Sequence, residues 1–168
     1  MMKNLLILTG IIAISFLSSC SSDSRKEGCT DPIATNYQSF ADYDNGSCFY
    51  NAEIVFWYDA ITANELNLYN DIIYGPIDRL DFYVEGVYVG SETPPQAFIY
   101  DGIPICNEPT YVSTTMEWTN NRNTLVNYRV IGVHEALLAD LETVVDEYSY
   151  DLTANECAPF QVRFLTKK

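Results

Sequence analysis

The fold predicted for this chain is an all-β sandwich of seven to eight strands, preceded by a small disulfide-stapled module. Three observations predict it. From Asn51 onward, short β-branched and aromatic runs are separated by turn residues at sandwich spacing. The composition, 48% hydrophobic and 14% aromatic with 13 Tyr, is that of a folded protein rich in strand formers. Ahead of that domain, Cys29 and Cys48 flank a segment too short to bury a core, which therefore needs a staple. A length of 168 residues accommodates one domain plus accessories, and two large domains do not fit.

Residues 1–19 follow the plan of a secretory signal, with a positive Lys3, an apolar run from Leu5 to Leu17 and small residues before the cut. The run falls short of the roughly 20 residues of a transmembrane helix. Leu17-Ser18-Ser19-Cys20 resembles the lipobox of bacterial lipoproteins. The resemblance implies cleavage before Cys20, acylation of its sulfur and new amino group, and a lipid anchor in the outer membrane of a bacterial envelope. An ordinary buried helix and secretion without lipid are the competing readings. Several acyl chains, at about 0.8 kcal/mol per buried CH₂, hold a protein firmly. Residues 20–27 read as a polar tether whose Ser21 to Glu27 stretch reaches at most about 25 Å. Ser21-Ser22-Asp23-Ser24 is too generic to choose between the periplasmic and the surface face.

The module, residues 28–50, runs Gly28-Cys29-Thr30-Asp31-Pro32-Ile33-Ala34-Thr35-Asn36-Tyr37, then Ala41-Asp42-Tyr43-Asp44-Asn45-Gly46-Ser47-Cys48. It resembles a short motif of secreted and surface proteins of Bacteroidota, departing where Asp44-Asn45-Gly46 replaces the commoner Asp-Asp-Gly. The resemblance implies a Cys29–Cys48 bridge, the expected state in an oxidising compartment, contributing about 3 kcal/mol on the chain-entropy model. Asp31-Pro32 suits a turn or helix start, and Asn45-Gly46 a turn. Asp42, Asp44 and Glu53 stand at positions one, three and twelve of a calcium-loop spacing. The required glycine falls one place early, at Gly46, and Cys48 interrupts the loop, so a plain structural cap competes with a calcium site.

In the main domain, residues 51–168, Glu53 to Tyr58 is apolar on both faces and reads as a central strand. Ala60 to Pro76 reads as a connection, with a helical turn near Asn64 to Tyr69. Arg79 to Ser91 is the clearest element: Leu80, Phe82 and Val84 alternate with Asp81, Tyr83 and Glu85, and Glu85-Gly86 makes a two-residue hairpin turn. Pairing Val84 with Val87 sets Phe82 opposite Val89 and Tyr83 opposite Tyr88, with the aliphatic residues on one face. This hairpin resembles one found in small Bacteroidota lipoproteins and immunoglobulin-like modules, which implies an immunoglobulin-like sandwich.

Pro94-Pro95 breaks the ladder, and Ala97 to Tyr100 forms a short strand. Tyr111 to Trp118 places Val112, Thr114, Met116 and Trp118 inward, and Leu125 to Val133 is a further strand. His134 to Val145 is ambiguous and is assigned to a short helix or long loop. Tyr148, Tyr150 and Leu152 alternate in the next strand; Phe160, Val162 and Phe164 do so in the last. With Cys20 given to lipid, four cysteines permit three pairings. The module's motif takes Cys29 with Cys48, which leaves Cys106 with Cys157, a link of about 4 kcal/mol on the same model.

The chemistry of the sequence narrows the function. Nine basic against 23 acidic residues, a net charge of −14, exclude nucleic acid as a partner, because phosphate binding needs a basic footprint. An anionic membrane surface repels such a chain too, so attachment falls to the N-terminal lipid. The single histidine, His134, reads as a surface or loop residue, and no nucleophile, zinc or redox motif accompanies it. Trp57 and Trp118 read as core, whereas Tyr83 and Tyr88 form an outward cross-strand pair that could receive a glycan or a protein. The reading is a non-enzymatic, lipid-anchored envelope protein acting as a binding or structural module. A carbohydrate-binding accessory lipoprotein of a nutrient-capture system is the alternative, and a two-carboxylate hydrolase ranks behind both.

Overall fold

A computed structural model describes residues 25–93, 104–106, 109–135 and 140–164. The leader, Cys20, Pro94-Pro95 and the strand expected at Ala97 to Tyr100 lie outside these residues. Among the described residues no helix is long and apolar enough to cross a membrane.

The module is held by its backbone as much as by its staple. Strand β1 (Glu27–Gly28) pairs in parallel with β2 (Tyr43–Asp44), and the Lys26 carbonyl accepts from the Asp42 and Tyr43 amides. Lys26 and Glu27, read above as tether, are therefore bound into the module. Cys29 and Cys48 are bonded. Together with Ala34 and Tyr50 they form a small core of their own, capped by Trp118 and Ala154 of the sandwich. Asp31 fastens the two parts. Its carboxylate takes the Arg122 guanidinium in a two-toothed grip, Nε at 2.7 Å and Nη2 at 2.8 Å, and also the Tyr50 hydroxyl at 3.0 Å. A fixed fork of donors matches a carboxylate edge in this way.

Strand β3 (Phe49–Trp57) starts at the staple and runs unbroken into the sandwich. After it come α1 (Ala60–Leu68), β4 (Asn70–Asp71), β5 (Gly75–Pro76), β6 (Arg79–Val84), β7 (Val87–Glu92), β8 (Ser113–Thr119), β9 (Asn123–His134), β10 (Leu141–Thr153) and β11 (Cys157–Gln161). Among the described residues, seven long strands make two sheets, ordered β10-β9-β6-β7 and β11-β3-β8, and the protein is an all-β sandwich. Strand β3 is central, as its apolar run predicts. The first and last long strands, β3 and β11, pair in parallel, and the other long-strand pairs are antiparallel. Constant-type immunoglobulin domains put their first, second, fifth and fourth strands in one sheet. Here the second, third, fifth and sixth of the described long strands share a sheet, which departs from that order.

The inner faces meet at Phe56, whose ring lies 5.0 Å from Phe82, 5.7 Å from Tyr128 and 5.7 Å from Phe160. Leu80, Phe82 and Val84 of β6, Val126, Tyr128 and Val130 of β9, and Ile54 and Phe56 of β3 supply the buried alternation. Trp57, half-buried, stands outside that cluster, and its indole N–H has no hydrogen-bond partner. The Cys106–Cys157 bond ties the stretch before β8 to the start of β11.

Several expectations need correction. The hairpin turn at Glu85-Gly86 forms, with φ of 50° and 75° at its two residues, and Val84 faces Val87 and Tyr83 faces Tyr88. A bulge then slips the register, so Phe82 lies opposite Gly90 and not Val89. Val89 is the extra residue of the bulge, and Val87 is exposed. Gly90 is needed where it lands, since a Cβ there would sit 2.9 Å from Val112 Cγ1.

The connection after β3 contains a true helix, α1, whose first turn is capped by Asp59 accepting from the Thr62 amide at 2.8 Å. The ambiguous stretch from His134 to Val145 is strand at both ends, because β9 extends to His134 and β10 begins at Leu141. His134 is not at the surface: it is fully buried, with Nδ1 2.7 Å from the Pro76 carbonyl and Nε2 3.0 Å from Thr143 Oγ1. A further correction is at the last strand, which stops at Gln161, leaving Val162 buried beyond it.

Candidate binding face

The outer face of the four-stranded sheet is set by what points away from the core. Since Leu80, Phe82 and Val84 turn inward, Asp81 and Tyr83 turn outward, and the ladders align them with neighbours. Tyr88 of β7, Tyr83 of β6, Arg129 of β9 and Glu147 of β10 stand opposite one another in turn, a single row across all four strands. Three strand spacings make it about 14 Å long. The two tyrosine rings meet edge to face at 5.7 Å, and Tyr88 is 53% exposed. Arg129 Nε lies 3.4 Å from Glu147 Oε2, an open ion pair in solvent.

Parallel rows flank this one. Toward the hairpin turn, Asn127 faces Ser149, whose hydroxyl donates to Asn127 Oδ1 at 2.6 Å, while the Asn127 amides donate to the Glu85 carboxylate. On the other side Asp81, Ile131 and Val144 align. Asp81 is buried and held by Arg79, with Nε at 2.8 Å. The rows border an open groove of about 930 Å³ that includes Tyr83, Arg129, Glu142 and Glu147. Its charge is net negative, one guanidinium against two carboxylates. The Tyr83 hydroxyl is pushed above its usual range by burial and then by the charges of Asp81 and Glu142.

A second cavity, about 440 Å³, opens on the inner side of β10, beside Asp146, Tyr148, Gln161 and Arg163. A bulge between Val144 and Asp146 turns the Asp146 carboxylate into the protein. There it accepts from Tyr128 Oη at 3.0 Å and from the Arg163 amide at 3.0 Å. Burial, then the charge of Asp146, pushes the Tyr128 hydroxyl up. Glu147 and Tyr148 border both cavities, so β10 is a wall with a hollow on each side.

Of the residues singled out from sequence, Tyr83 and Tyr88 are brought together as an outward pair, and the four cysteines Cys29, Cys48, Cys106 and Cys157 are paired as expected. Asp42, Asp44 and Glu53 are not assembled. Asp44 Oδ1 accepts from the Gly46 amide at 2.9 Å, turning its carboxyl to the loop's own backbone. Glu53 lies in β3 opposite Thr115 and Cys157. Among the described residues no three His, Cys, Asp or Glu side chains gather as a metal site. Arg129, Glu147 and Asp146 escaped sequence reasoning. The first two carry a signal in the alternation of β9 and β10, but the bulge that buries Asp146 has none. No family model matches the chain, and neither a curated protein nor a solved structure matches it.

Proposed function

We propose that this chain is a non-enzymatic, lipid-anchored envelope protein that holds a binding face on a stapled spacer. The cross-strand row of Tyr88, Tyr83, Arg129 and Glu147 over an open groove is the observation that carries the reading. It joins aromatic faces, a guanidinium and a carboxylate on a rigid sheet, the mixture that orients a polar ligand. The lipobox-like Leu17 to Cys20 stretch and two disulfides favour an oxidising envelope compartment. The absence of a catalytic role is favoured by His134, whose ring is buried and whose two nitrogens are both engaged in hydrogen bonds.

Carbohydrate is the alternative ligand, favoured by the exposed Tyr88 ring beside Tyr83. Two experiments test the proposal. Mass spectrometry of the protein from its own cells should find an acylated Cys20 as the first residue, and an unmodified, uncleaved N-terminus would refute the anchor. A glycan array probed with the protein should give hits that vanish in Tyr83→Ala/Tyr88→Ala without a lower melting temperature. An array with no hit would refute the carbohydrate reading.

A further inference from the structure

Strand β10 is the longest of the described strands, 13 residues, and it lies at the edge of its sheet with β9 on one side. Among the described residues no strand lies along its other side. An edge of this kind displays a row of unpaired N–H and C=O groups over about 40 Å and templates pairing with another chain. The hollows sit on its two faces, the groove of Tyr83 and Arg129 outside and the cavity of Asp146 and Arg163 inside. In an extended segment laid along β10, successive side chains would point to alternate faces, one set toward each hollow. Backbone bonding with pockets for alternate side chains is how strand addition obtains affinity and specificity together.

We propose that β10 receives an extended, basic peptide segment of a partner protein as an added strand. This rests on the outer face being a binding surface and names the kind of partner. Charge selects the occupant. The residues of β10 on the outer face include Glu142, Glu147 and Asp151, and only Glu147 faces a cation, Arg129, across the ladder. A second copy of this chain, at −14, would bring like charge against like charge. Lysine or arginine at alternate positions of the incoming segment meets Glu142, Glu147 and Asp151, and its intervening apolar residues turn toward the exposed Tyr148 on the inner side. The acids and the bulge thus guard the edge against self-pairing while leaving it open to a basic strand.

The test uses the full chain in detergent micelles and a synthetic peptide of alternating lysine and valine, followed by residue-resolved amide exchange. Binding should slow exchange at alternate amides of β10. The same peptide N-methylated along one edge keeps its charge but loses its donors, and should bind more than about tenfold more weakly. A peptide with glutamate for lysine should weaken by a similar factor, and Glu142→Lys/Glu147→Lys should reverse that preference. Equal binding of the N-methylated peptide, or protection away from β10, would overturn strand addition, as would no binding. A neutral oligosaccharide such as cellohexaose is the companion probe. If it shifts Tyr83 and Tyr88 while the peptide leaves β10 unprotected, strand addition fails and the binding face stands. If neither binds, strand addition is overturned and the carbohydrate reading of the face fails with it.

Discussion

Glu92 turns the stability of the sandwich into a function of pH near neutrality. It closes β7 opposite Leu80, and Tyr58 Oη donates to its Oε1 at 2.6 Å. Burial pushes the Glu92 carboxyl up to about 7 from 4.5, and the Tyr58 hydrogen bond only partly opposes this. A folded-state value above the unfolded one means that the native protein holds the proton more tightly. The added stability is complete below pH 4.5 and is lost as pH rises through about 7. At about 1.4 kcal/mol per unit, the whole shift would be worth about 3 kcal/mol. Glu92 is partly exposed, and screening by water reduces this to about 1–2 kcal/mol. Urea unfolding across this range should show the native protein weakening by that amount from the acid to the alkaline side. Glu92→Gln imitates the protonated form and should remove this part of the slope. An identical slope in the two proteins would refute the account and assign the titration to other groups.

The remaining expectations concern how the parts are held. Replacing Cys106 and Cys157 by Ala should cost about 4 kcal/mol and replacing Cys29 and Cys48 about 3 kcal/mol, from sequence separations of 51 and 19 on the entropy model, read by chemical denaturation. Asp31 is held down to about 2 from 3.8, first by the Arg122 guanidinium and then by the Ile33 amide. The stability it supplies is present above 3.8 and lost as pH falls toward about 2, so in acid melts Arg122→Ala should fail at higher pH than the native chain. Gly90→Ala would press a methyl against Val112 and should lower stability by about 1–3 kcal/mol in thermal unfolding. Ile72 and Ile73, at 102% and 80% exposure on the β4–β5 turn, touch little; Ile72→Ser/Ile73→Ser should change stability by less than about 0.5 kcal/mol.

Those parts of the fold written in local pattern were legible before the structure. The alternation of Leu80, Phe82 and Val84, the Glu85-Gly86 turn and the double-sided run of β3 each follow from side-chain periodicity, and each appears where the pattern puts it. What failed to show was set at a distance. The slip at Val89 sets Gly90 against Val112, a neighbour far along the chain that the local pattern of β7 does not reveal. His134 to Val145 looks helical because Ala136, Leu137, Leu138 and Leu141 have helical spacing, yet its ends are captured by β9 and β10. His134 reads as a surface residue because its partners, Pro76 and Thr143, come from other elements. The candidate site divides in the same way. Tyr83 and Tyr88 meet across a tight turn and are readable, whereas Arg129 and Glu147 join their row through the β6–β9 and β9–β10 pairings.

The two ends of the sandwich have different neighbours, and this bears on where a partner can reach it. At one end are the staple, the Asp31–Arg122 pair and the contact of Asn155 Nδ2 with the Ile33 carbonyl. At the other, beyond Trp57, are α1 and the β4–β5 turn, rooted where Pro76 meets His134. Strand β10 connects the two, from Leu141 beside His134 to Thr153 beside Asn123. If Cys20 carries lipid, the five residues from it to Arg25 span at most about 18 Å, less than the roughly 30 Å of β3 alone. The module end then stays near the bilayer, and in an upright domain the β4–β5 end is the one that faces the aqueous side. A basic segment entering from the aqueous side would meet Glu142 before Asp151, pairing from the far end toward the membrane. Amide protection by the lysine–valine peptide on vesicle-bound protein should then be stronger around Glu142 than around Asp151, and the reverse gradient would refute this orientation.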